Sequence, residues 1–271
     1  MKYTLALVTG ANSGLGKELC KQLAAKGIPL LITGRNEKEL EELALALRNF
    51  VPVSICVADL AKNRKVLTQT IEEKSPDLII NSAGLGYYGN VLTHSREEEL
   101  EVLEVNVNAL VEICMAATKA LLMQKRGGTI LNVSSAAGFF CYPSFAIYSS
   151  SKAFVTHFSK SIDLEMRDLG IRVLCSCPGK IATPFKIKAS KGASHSKDPL
   201  TIPVEKAARL MIDQIEKQKA FSIIDYRYRI LAFIGRLLPE KMGGYNTLRW
   251  RAMTSVLIIS FLTMLSSSKV S

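Results

Sequence analysis

Seven short apolar runs recur along the first 224 residues, and longer stretches with apolar positions at helical spacing lie between them. The runs are 3–9 (YTLALVT), 29–33 (PLLIT), 52–58 (PVSICVA), 77–81 (DLIIN), 129–134 (TILNVS), 171–176 (IRVLCS) and 221–224 (FSII). Segments this short and this uniformly apolar predict strands buried on both faces, while the patterns through 18–27, 36–48 and about 97–124 predict helices. Asn36 followed by Glu39 reads as a capping pair opening the second helix, and Gly27 and Gly170 fall where helices should stop. The alternation predicts an α/β fold: a Rossmann-like, doubly wound, seven-stranded parallel sheet with helices on both faces and ligands at the carboxyl ends of its strands. The apolar run near the amino terminus is too short for a secretory signal and reads as the first strand.

Composition fits one folded domain of this kind: 48% hydrophobic and 22% charged residues in a chain of 271. The six cysteines are scattered, mostly within apolar runs, and read as buried free thiols in a reducing, cytoplasmic setting. Neither they nor His94, His157 and His195 show metal-ligand spacing, so no metal is expected. Charge changes the picture more. Residues 180–271 hold 16 Lys/Arg against 6 Asp/Glu, so nearly all of the net +11 belongs to the C-terminal third.

Three sequence features carry chemistry. TGANSGLG (9–16) joins the first strand directly to a helix; its glycines permit a tight turn and close approach of a pyrophosphate, and the helix start offers unpaired N–H groups to an anion. GLGYYG (84–89) also follows a strand, the fourth, but leads into no strand-helix-strand unit of ordinary length, so its glycines are read as letting the chain pass beneath a bound cofactor. Tyr148 and Lys152 in YSSSK share a helical face, with Ser135 upstream at the end of TILNVSS. A cation ~4 Å from the phenol supplies ~4 kcal/mol at an effective dielectric of ~20, enough to lower a tyrosine pKa by ~3 units. That spacing alone arises by chance about as often as not in such a chain, so its meaning depends on what surrounds it.

The order of these motifs resembles that of the short-chain dehydrogenase/reductase family: TGANSGLG, NSAG (81–84) in the place of the family's NNAG, Asn106 in LEVNVNAL, Ser135, Tyr148 with Lys152, and PGKIAT (178–183) for its PGxxxT. Ser82 departs from the second Asn of that motif. The resemblance covers about 1–224 and implies hydride transfer between a nicotinamide and a carbonyl or alcohol carbon. Tyr148 would be the acid/base, Lys152 would lower its pKa and bind the nicotinamide ribose, Ser135 would hold the substrate oxygen, and Asn106 would support a water chain from Lys152. Cofactor-binding positions implied with Tyr148 and Lys152 are Thr9, Gly10, Asn12, Ser13, Gly14, Leu15, Gly16, Asn81, Ala83, Gly84, Pro178, Gly179, Ile181 and Thr183, with Asp59 at the adenine. The second strand ends in Thr33-Gly34-Arg35-Asn36, without the acidic residue that would grip the ribose hydroxyls. Arg35 can pair with a 2′-phosphate, and NADP(H) is therefore the expected cofactor.

The resemblance implies a dinucleotide-binding and catalytic domain over 1–224, leaving 225–271 as a basic, apolar extension. Segment 186–199, polar and Lys-rich, has the position of a lid or of a plain surface loop. In 226–238, Tyr226, Ile230, Phe233/Ile234 and Leu237 fall on one helical face, and 256–265 (VLIISFLTML) is too short to span a bilayer. These segments read either as packing over the cleft or another subunit, or as a peripheral contact with a membrane. No nucleic-acid recognition module accompanies the charge. The expected partner is a small hydrophobic carbonyl or alcohol substrate (3-oxoacyl, steroid- or retinoid-like), and a homo-oligomer is expected by resemblance. An NADPH-binding sensor or scaffold without turnover is the alternative.

Overall fold

The computed structural model describes residues 3–191 and 200–237. Seven strands, β1 (Ala6–Thr9), β2 (Leu30–Gly34), β3 (Val53–Val57), β4 (Leu78–Asn81), β5 (Gly128–Val133), β6 (Ile171–Pro178) and β7 (Phe221–Ile224), form one parallel sheet in the order β3-β2-β1-β4-β5-β6-β7. The chain winds one way from β1 to β3 and the other from β4 onward, which opens a crevice at the carboxyl ends of β1 and β4.

Alternation within each strand divides the core. Ala6, Val8, Leu30, Ile32, Leu78, Ile80 and Leu131 face α1 (Gly14–Ala25), α2 (Glu37–Leu47) and α8 (Val204–Glu216). Leu7, Leu31, Ile79, Ile130 and Val173 face α3 (Lys65–Lys74), α5 (Ala109–Met123) and α6 (Ala146–Met166) on the other side. Burial on both faces is why the strands read as continuous apolar runs. The Asn36 cap is present, its side chain accepting from Glu39 N at 3.3 Å. Gly27 and Gly170 both have positive φ at helix ends. The helix expected over about 97–124 is interrupted: α4 (Arg96–Leu103) passes into five π-helical residues, Glu104–Asn108, before α5, and Asn106 lies within that bulge.

A short helix, α7 (Phe185–Ala189), follows β6, and the last described helix, α9 (Tyr226–Leu237), follows β7 with Asp225 alone between them. Tyr226 is exposed and Ile230 half-buried, whereas Tyr228 and Ala232 are buried; the side chains of Phe233, Ile234 and Leu237 lie outside the described residues. The helix phase is set at Asp225, whose φ of 77° turns the chain and whose carboxylate pairs with Arg227. Segment 256–265 and most of the expected lid lie outside the described residues. Among the described residues no helix is long and apolar enough to cross a membrane. All six cysteines are free, and Cys141 alone among them is exposed.

Asp77, just before β4, ties the amino ends of three strands. Its carboxylate accepts Thr4 N, Leu5 N and the Thr4 hydroxyl at 2.8–3.0 Å and pairs with Arg126 at 3.0 Å. Replacing it with alanine strands two backbone donors and a guanidinium. Asp77→Ala is expected to lower unfolding stability by about 2–4 kcal/mol, read from the urea midpoint; an unchanged midpoint would contradict this role.

Candidate active site

The first βα turn is a cradle with no room for side chains. Gly14 has φ +50° and would press a Cβ to 3.2 Å from Thr183 Cβ, and a Cβ on Gly16 would collide with the carbonyl of Gly10. Ser13 occupies the N-cap position of α1 without a side-chain cap bond, and the first turn holds no acidic residue. The helix start therefore presents N–H groups and positive dipole to whatever enters, which fits a dinucleotide pyrophosphate. Thr9 is buried, its hydroxyl accepting Ser82 N and Ala83 N at 3.0 Å, so it joins the ends of β1 and β4. Asn81 turns its side chain under the sheet, donating to Asn132 Oδ1 at 2.8 Å. Of the NSAG residues it is therefore only through its backbone that Asn81 faces the crevice end.

At the far end of the crevice Arg35 is exposed and pairs with Glu101 of α4, Nη1 to Oε1 at 3.1 Å. Asn12 donates to Glu39 at 2.7 Å nearby. Asp59 lies two residues beyond β3, its Oδ1 accepting Ala61 N at 2.9 Å, a local turn bond.

Ser135, Tyr148, Lys152 and Asn106 meet at the carboxyl ends of β4 and β5. Lys152 is buried, and its ammonium donates to Val133 O at 3.0 Å. Asn106 accepts Leu85 N and donates to Leu85 O, both at 2.9 Å, and donates to Ser151 at 3.0 Å, clamping the β4–α4 loop onto α6. Gly84 lies where a Cβ would sit 3.3 Å from Asn106 Oδ1 and 3.4 Å from Lys152 Nζ. Gly86 of the second glycine motif lies under the Tyr148 and Phe145 rings. Gly86 thus leaves room for the Tyr148 ring, while Gly89 packs against Thr93 and His94.

Burial pushes the Tyr148 phenol up to about 12, with the Ser135 hydroxyl pulling the other way. The same burial brings Lys152 down to about 8. Its ammonium is 5.8 Å from the Tyr148 ring centroid and turned to a carbonyl, so desolvation outweighs the charge.

Three contributors had no signal in the sequence pattern: Phe145, Phe185 and Tyr228. Phe145 stacks on Tyr148 at 4.2 Å and on Tyr88 at 4.0 Å, and Phe185 lies 5.5 Å from Tyr148. Tyr228 of α9 lays its ring on Gly179, and its hydroxyl accepts Lys180 N at 3.0 Å, holding the 178–183 loop. That loop is further pinned by Ala182 N to Ile202 O at 2.9 Å and by the pairing of Ile181 with Ile202. Among the described residues no group of His, Cys, Asp and Glu could hold a metal ion.

The family model for short chain dehydrogenase matches residues 4–194. A sulfoacetaldehyde reductase of Chromohalobacter salexigens is 32% identical over 199 residues, 71% of this chain and 78% of that protein. An uncharacterized oxidoreductase of Staphylococcus epidermidis is 29% identical over 189 residues, 68% and 81% of the two chains. Among solved structures, a short-chain dehydrogenase from Sphingobium yanoikuyae in complex with NADPH superposes with TM-score 0.77 at 23% identity, over 90% of this chain and 97% of that one. A Burkholderia phymatum short-chain dehydrogenase/reductase in complex with NAD gives 0.73 at 19% identity, over 84% and 91%. The chain belongs to the short-chain dehydrogenase family and is an NAD(P)-dependent oxidoreductase.

The depressed Lys152 has a measurable consequence. Its folded value of about 8 lies below its ordinary 10.5, so between those values the unfolded chain binds more protons and stability rises with pH. Below about 8 the folded state carries the cost of a buried cation. Relative to Lys152→Met, the wild-type melting temperature should therefore improve as pH is raised from about 8 to 10.5. A difference between the two proteins that does not change over that interval would contradict the burial argument.

Proposed function

We propose that the chain interconverts a carbonyl and an alcohol on a hydrophobic substrate with NADP(H), using Tyr148, Ser135 and Lys152. The meeting of these three side chains beside the glycine cradle carries the reading. Backbone at Gly10–Gly16 and the start of α1 would hold the pyrophosphate, and Asn12 and Arg35 the 2′-phosphate. Asp59 would meet the adenine, the Asn81–Gly84 backbone would line the cofactor's path, Lys152 would reach the nicotinamide ribose, and Pro178, Gly179, Ile181 and Thr183 its carboxamide end. The nicotinamide supplies the hydride.

During reduction Tyr148 gives its phenolic proton to the carbonyl oxygen while Ser135 donates a hydrogen bond to that oxygen. A phenol raised to about 12 is fully protonated at neutral pH, the form reduction requires. An alkoxide is far more basic than that phenolate, so the transfer runs downhill. In the alcohol-to-carbonyl direction the same phenol must first ionise, which its burial opposes. The Tyr88, Phe145 and Phe185 rings around Tyr148 favour an apolar substrate, of 3-oxoacyl, steroid- or retinoid-like bulk. Met115 and Met123 on α5 and Phe154 and Leu164 on α6 are exposed apolar side chains that suit contact with a second copy.

Tyr148→Phe should cut NADPH oxidation by a panel of hydrophobic aldehydes and ketones at least about a hundredfold, with NADPH affinity by fluorescence within about twofold of wild type. Turnover retained by the variant overturns the assignment of Tyr148. A wild type that binds NADPH and turns over none of the panel favours the sensor or scaffold reading.

A further inference from the structure

The cation expected to meet the adenosine end of the cofactor already has a partner from across the crevice. Arg35 Nη1 lies 3.1 Å from Glu101 Oε1, although 66 residues separate them in sequence. The second oxygen of Glu101 accepts the Tyr87 hydroxyl at 3.3 Å. Burial and then the Glu101 charge raise the Tyr87 phenol, so Tyr87 stays a donor to that carboxylate. Glu101 is thus held between two loops, the β2–α2 turn and the segment after β4. Its side chain is 26% exposed and that of Arg35 is 55% exposed, so the pair sits where solvent and a ligand can both reach it.

We propose that Glu101 is a specificity-determining residue for the dinucleotide, a carboxylate that competes with a 2′-phosphate for Arg35 and so narrows the preference for NADPH over NADH. The proposal rests on the reading that Arg35 meets the 2′ position. A phosphate and a carboxylate offer a guanidinium the same kind of paired oxygens, so both seek the same face of Arg35. A phosphate carrying nearly two negative charges is also repelled by a carboxylate held that close to its site. NADPH must therefore displace Glu101 from Arg35, whereas NADH carries a neutral hydroxyl there and leaves the pair intact. An acidic side chain can also accept from that hydroxyl, which favours NADH further. Specificity is the difference between the two affinities, and a repulsive group shifts it as surely as an attractive one. Because the pair is exposed, screening keeps the effect modest.

The test is equilibrium binding of NADPH and NADH, followed by nucleotide fluorescence, for wild type, Glu101→Gln, Arg35→Ala and the double variant. Glu101→Gln should tighten NADPH roughly three- to tenfold at low ionic strength and leave NADH unchanged or weaker. Removing Arg35 first should abolish that gain, because the competition then has no object. A ratio of NADH to NADPH dissociation constants that does not rise in Glu101→Gln overturns the proposal, as does an equal rise in the Arg35→Ala background. These measurements need no turnover, so they stand apart from the catalytic reading. A wild type without NADPH preference whose ratio rises in Glu101→Gln only when Arg35 is present upholds the role of Glu101 and overturns the NADP(H) preference.

Discussion

A helix with a polar inner face governs this molecule. On α6, Ser149, Ser151, Lys152, Thr156, Ser159 and Asp163 are buried, and buried polar groups need partners. The partners are fixed points. Asn106 donates to Ser151 at 3.0 Å, Ser134 bonds Thr156 at 2.8 Å and the Lys152 carbonyl at 2.6 Å, and Asn132 donates to Ser159 at 3.0 Å. At the far end Asp163 takes Arg172 at 3.0 Å and Val173 N at 2.8 Å. A slip of one residue would break all of these at once, so the ladder sets the register of α6 over β5 and β6. Tyr148 and Lys152 arrive at the strand ends as a consequence.

The same burial that positions the pair sets its electrostatics. Two groups removed from water each resist their charged form, which raises the phenol and lowers the ammonium. A protonated phenol beside the Ser135 hydroxyl has a proton to give.

The strands, the glycine turn and the Asn36 cap were legible because each has a local physical cause. Burial on both sheet faces makes apolar runs, a Cβ-free turn needs glycine, and a cap needs a side-chain oxygen at one offset. What stayed hidden depends on distant partners. Nothing local to Arg35 announces Glu101, and nothing in YRYRILAFIGRLL distinguishes Tyr228 as the residue lying on Gly179. The π-helical step at Glu104–Asn108 was equally invisible in a stretch read as one continuous helix.

We propose that this site moves a hydride from NADPH to a hydrophobic carbonyl carbon while the protein supplies the proton. The most direct measurement is isotope transfer with NADPH deuterated at C4 of the nicotinamide, followed by mass spectrometry of the products from a panel of hydrophobic aldehydes and ketones. The account predicts an alcohol with one deuterium on the former carbonyl carbon, formed in step with cofactor oxidation. Cofactor oxidised without label in the alcohol, or a panel left wholly unreduced, would contradict it.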